Sequence, residues 1–141
     1  MKKIEEINPA LVTGYARANP SRAVEIAARF PESAVDIVKM YPEQAAQIAA
    51  AVPNETARRV AKASTVGMCM LIAQKCPELC CDIAGDIKAR NVDGSTFGGV
   101  LVELATHCPT EAEALAIEYP NWQDSIAAAA PLSFALEVPG E

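Results

Sequence analysis

The sequence predicts an all-α protein: an array of short, proline-initiated helices on an 11-residue repeat, stacked as a miniature α-solenoid or compact helical bundle. Three observations carry this expectation. Prolines stand at positions 9, 20, 31, 42 and 53, at 77, and again at 109, 120 and 131. Between them, apolar residues keep to one helical stripe. Acids gather early in the units and bases late, with Glu32, Glu43, Glu78 and Glu111 set against Arg17, Arg29, Lys39 and Lys75.

Eleven residues span about three helical turns, so one long helix with a slight right-handed supercoil would also keep its stripe aligned. Each interior proline would then remove a hydrogen bond and clash with the preceding turn, at about 3 kcal/mol or more. Repeated along the chain, that penalty exceeds the roughly 5–15 kcal/mol by which a whole domain is stable. At the first position of a helix proline loses nothing, because its absent N–H would have had no partner there. The prolines therefore mark starts. The charges agree, since carboxylates favour the positive N-terminal end and cations the negative C-terminal end of separate short helices.

The 141 residues read as one helical-repeat domain. Residues 1–8, MKKIEEIN, precede the repeat and contain no apolar stretch of signal-peptide length. Regular repeats run over 9–63. A two-residue insertion, Ser64-Thr65, follows, and less regular repeats occupy 66–130 with a second insertion at 88–97, from Lys88 to Phe97. Residues 131–141, PLSFALEVPGE, leave the frame and read as a terminal cap and tail.

With proline as slot 1, slot 7 holds Tyr15, Ile26, Ile37, Ile48, Arg59, Ile72, Ile83, Leu104, Leu115 and Ile126. Slot 8 holds alanine or valine throughout, slot 4 is mostly small, and slot 11 includes Phe30, Tyr41, Val52, Cys76, Cys108 and Tyr119. Slots 4, 7, 8 and 11 form a stripe about 100° wide, the pattern of a helix buried on one side. Helices of eight or nine residues would not persist alone, since about 12–15 are needed in water. They must stabilise one another by stacking, with mostly nearest-neighbour energetics.

Apolar residues make up 51% of the chain but aromatics only 5%, so the core is expected to be Ala, Ile, Val and Leu, which suits close-packed helices. The longest apolar runs fall far short of a membrane span, so no membrane partner is expected. A net charge of −6 argues against nucleic acid as a partner. Residues 1–63 carry nine Lys/Arg and seven Asp/Glu, a net +2, while residues 64–141 carry three and eleven, a net −8. The absence of a secretory signal and the acidic balance predict a cytoplasmic location with reduced thiols.

Cys69, Cys76, Cys80, Cys81 and Cys108, with His107, form the one set that could suggest a metal or redox site. No Cys-x-x-Cys pair is present, however. Cys69 and Cys80 occupy slot 4 and Cys76 and Cys108 slot 11, so they read as small core hydrophobes. No metal, cofactor or catalytic residue is expected, and the chain is read as no enzyme. His107 falls on a polar slot, and adjacent helical positions point about 100° apart, so His107 and Cys108 do not form a catalytic pair.

Six residues are candidates for binding. Arg59 breaks the apolar slot 7 and, with Arg58 and Lys62, offers a basic patch to an acidic partner group. The alternative is that packing is interrupted there and Arg59 lies along the surface, in which case Arg59→Leu would stabilise the fold. Asp93 stands in the glycine-rich insertion, which carries neither a P-loop nor a dinucleotide pattern and reads as a turn or excursion breaking the array. Tyr119 and Trp122 are aromatics near the end of the repeat, suited to a binding hot spot or to capping the core.

The function expected is a non-catalytic protein–protein interaction module, an adaptor or scaffold whose acidic C-terminal half docks a basic protein surface. The alternative is a structural subunit that self-assembles end to end, because a stacked array exposes ends like its own interior. A Cys-based metal or redox protein is the remote third reading.

Overall fold

The computed structural model describes residues 2–90 and 92–137. Ten α-helices and no strand occur among them, and the proline frame explains the helices' lengths. The chain divides into two compact units, Met1–Cys76 and Pro77–Glu141.

In unit 1, a 3-10 turn at Ile4–Glu6 precedes the repeats. Each of the next four helices follows a three-residue 3-10 turn that begins with proline. They are α1 (Val12–Ala18), α2 (Ala23–Arg29), α3 (Ala34–Met40) and α4 (Ala45–Ala51). Then come α5 (Asn54–Lys62) and α6 (Val66–Lys75). Unit 2 holds α7 (Cys80–Lys88), α8 (Gly94–His107), α9 (Ala112–Glu118) and α10 (Gln123–Ala129), closed by a 3-10 turn at Pro131–Phe134. The tail expected at 138–141 lies outside the described residues, as does Asn91 in the insertion.

Proline thus opens a 3-10 turn, and the α-helix proper starts at slot 4 with seven residues rather than the eight or nine expected. The corner itself is slot 11. Phe30 (φ −124°, ψ 71°) and Tyr41 (φ −130°, ψ 69°) precede prolines, whose rings exclude the helical conformation there. The N–H of Phe30 still bonds back to the Ile26 carbonyl at 2.9 Å, and the N–H of Ser33 bonds to the Phe30 carbonyl at 2.9 Å. One corner residue, three residues of 3-10 turn and seven of α-helix make eleven, with the backbone donors of the corner used.

The stripe of slots 4, 7, 8 and 11 is the core: Ala23, Ile26, Ala27 and Phe30 are buried, as are Ala34, Ile37 and Val38. Burying each Ile side chain contributes about 1.5–3 kcal/mol. Alanine at slot 8 leaves room for the neighbouring helix to approach closely. No polar or charged residue is buried among the described residues.

Within unit 1, α1 packs on α3, α2 on α4, α3 on α5 and α4 on α6, in addition to the contacts between successive helices. In unit 2, α8 packs on α10. Side-chain bonds repeat the same step. The Gln44 amide donates to the Pro20 carbonyl, 24 residues earlier, at 3.4 Å, and the Ser133 hydroxyl to the Pro109 carbonyl at 2.6 Å. Two 11-residue repeats therefore make one turn of the coil within a unit.

Two departures from the frame have local causes. Pro53 (φ −59°, ψ 153°) is the N-cap of α5 and opens no 3-10 turn. Losing that turn rotates α5 by one residue, so Ala57, Val60 and Ala61 face the core and slot 7 turns outward. The Ser64-Thr65 insertion ends α5 and starts α6, with the Ser64 hydroxyl donating to the Val60 carbonyl and the Thr65 hydroxyl accepting from Met68 N–H.

Candidate interaction surface

The structure places the sequence-selected basic patch on α5. Arg59 is two-thirds exposed and pairs with Glu55 one turn earlier at 3.0 Å, an exposed i,i+4 ion pair. Arg58 is exposed, as is Lys62. The rotation of α5 corrects one expectation: Arg59 does not occupy a core site, so a leucine there would gain no burial. Its surface course, by contrast, is as the alternative reading had it.

Asp93 is the N-cap of α8. Its carboxylate accepts from Thr96 N–H at 2.9 Å, the Ser95 hydroxyl at 2.7 Å and the Thr96 hydroxyl at 2.9 Å. Those bonds, the backbone one foremost, hold its pKa down at about 2. Much of the insertion is therefore no excursion. Gly94–Phe97 forms the first turn of α8, which this start lengthens to 14 residues. The local signal for this helix start is Asp93 at the N-cap, with Ser95 and Thr96 in the first turn.

Tyr119 and Trp122 come together around a residue that sequence reasoning missed. The Phe97 ring meets Tyr119 edge-on at 5.1 Å and Trp122 edge-on at 5.4 Å. Tyr119 is buried and the Lys88 ammonium lies 5.3 Å from its ring, while Trp122 is half-buried. The indole lies against Gly98, where an added Cβ would stand 2.7 Å from Nε1. Glycine at this helical position lets the ring lie close, since a side chain here would push the indole aside.

The thiols of Cys69, Cys76, Cys80 and Cys108 are buried and Cys81 is half-buried, all unbridged. Burial, followed by the neighbouring Cys108, pushes the Cys80 thiol far above its ordinary range, and burial also raises Cys81 and Cys108. Thiols held neutral are poor nucleophiles and poor metal ligands. Among the described residues, no three His, Cys, Asp or Glu side chains are grouped so as to hold a metal ion.

Surface charge divides where the fold divides. Residues 1–76 carry ten Lys/Arg and seven Asp/Glu, net +3, and residues 77–141 carry two and eleven, net −9. From Pro109 to Glu137 there are five acids and no Lys or Arg. Glu113, Glu118 and Asp124 among them are exposed. No helix among the described residues is long and apolar enough to cross a membrane. Comparison with known proteins gives no match: no family model, no curated protein and no solved structure is significantly similar to the chain.

Proposed function

We propose that the protein is a non-catalytic protein-interaction module, an adaptor or scaffold, whose acidic unit 2 receives a basic protein surface. The observation that carries this reading is the step from net +3 to net −9 at the boundary between the two units. A run of exposed carboxylates without cations attracts a positive partner over about one Debye length and fixes its orientation. The mostly buried thiols and a solitary His107 on the surface of α8 support a binding role over a catalytic one.

The test is capture from native lysate by the full chain at low and raised ionic strength, beside a variant carrying Glu113→Gln, Glu118→Gln and Asp124→Asn. The expected result is one or a few basic proteins released by salt and lost from the variant. Capture indifferent to both salt and the substitutions would overturn the reading.

A further inference from the structure

The repeat has a direction. Slots 3 and 11 reach back to the preceding turn of the coil, as Gln44 does to the Pro20 carbonyl and Tyr41 to the Ala16 carbonyl. Slot 8 lies on the side that the following turn covers. Its residue is at most 8% exposed in nine units, from Ala16 to Ala116.

At α1 the back-facing slots are uncovered. Leu11 in slot 3 is 54% exposed, whereas Leu79, the other leucine in that slot, is 1% exposed. Tyr15 in slot 7 is half-buried where Ile37 and Ile48 are fully buried, and these side chains line a groove of about 540 Å³. The neighbouring back edge, that of α2, is already covered by the segment Ile4–Ile7, whose Ile7 is buried. At α10 the forward side is uncovered in the same sense. Ala127 of α10, in slot 8, is half-buried, and Ile117 at the end of the neighbouring α9 is 80% exposed and lines a groove of about 360 Å³ with Gln123 and Phe134.

We infer that these two edges are complementary, and that the back edge of α1 seats on the forward edge at α10 of a second copy. Shape supports this, because the contact reproduces the step by which the chain already stacks on itself. Charge supports it too: α1 carries exposed Arg17 and no acid, and the helices at the other end carry Glu113, Glu118 and Asp124 with no cation between Pro109 and Glu137. The proposal rests on the interaction reading above and names one occupant of the acidic edge. Since the two surfaces differ, the contact is heterologous and extends into chains or closes into rings. One helix edge covers less than a standard interface, so association is weak and salt-sensitive.

The experiment is sedimentation of the full chain over a hundredfold concentration range at low and raised salt, with Leu11→Glu, Ile117→Lys and their equimolar mixture. Both substitutions sit at exposed positions, and circular dichroism verifies that each variant is folded. The expected result is a mass that rises with concentration and falls with salt. Each variant alone loses association at least tenfold, and the mixture recovers it but stops at the dimer, since one intact head meets one intact tail. A wild-type chain that stays monomeric, or association abolished by Leu11→Glu but untouched by Ile117→Lys, would overturn the head-to-tail contact. Monomeric protein that still captures a basic partner in a salt-sensitive way would remove the second copy as occupant and leave the proposed function standing.

Discussion

The Tyr41 hydroxyl donates to the backbone carbonyl of Ala16 at 3.3 Å, across 25 residues, and lies 3.3 Å from the Arg17 carbonyl as well. It ties α3's corner to the end of α1, one full turn of the coil back. Tyr41→Phe keeps the ring and removes the tie. Urea denaturation should show a loss of about 0.5–1.5 kcal/mol with an unchanged slope; a stability equal to wild type would mean that water replaces the bond without cost.

Gly98 and Trp122 make a sign-reversing pair. Gly98→Ala gains about 1 kcal/mol of helix propensity but pushes the indole, at about 1–3 kcal/mol for overpacking. The single variant should therefore be neutral to destabilised, with tryptophan emission shifted to the red. In a Trp122→Ala background the same substitution should stabilise. A Gly98→Ala effect of the same size in both backgrounds would show that the ring does not rest on this glycine.

The Asp93 cap gives a pH signature. Its carboxylate is depressed to about 2 in the folded chain, against about 3.9 for an unfolded aspartate. A depressed acid contributes stability that is present above the unfolded value and is lost as pH falls through the folded value. The difference in melting temperature between wild type and Asp93→Ala should be constant near neutrality and shrink between about pH 4 and pH 2. A difference that persisted unchanged at the acid end would rule out capping by the ionised form.

Arg59→Leu tests the rotation of α5. With Arg59 on the surface, the substitution should change stability by no more than about 0.5 kcal/mol in chemical denaturation. A gain near the roughly 1.5–3 kcal/mol of a buried leucine would return Arg59 to the core stripe.

Thiol titration separates core cysteines from reactive ones. Cys81 alone is half-buried, and the other four are buried. A thiol-specific reagent should label Cys81 slowly in the folded protein and all five cysteines in urea. Fast labelling of Cys80 or Cys108 in the native state would contradict the neutral, enclosed thiols described above.

The sequence by itself determined the repeat: where most of the proline corners fall, which stripe is buried outside α5, and that most of the helices are short. These follow from forces within a few residues of one another, the proline ring acting on its neighbour and apolar side chains recurring at helical spacing. The charge step between the halves was also legible there, because it is composition. Tertiary structure decided what depends on residues far apart. That each helix seeks the one two units away is visible in Tyr41 on Ala16, and no local period encodes it. That Gly98 leaves room for a ring became readable only once Trp122 lay against it. Arg59 turned outward because a missing 3-10 turn rotated its helix as a rigid body, and an 11-residue count carries no record of that rotation.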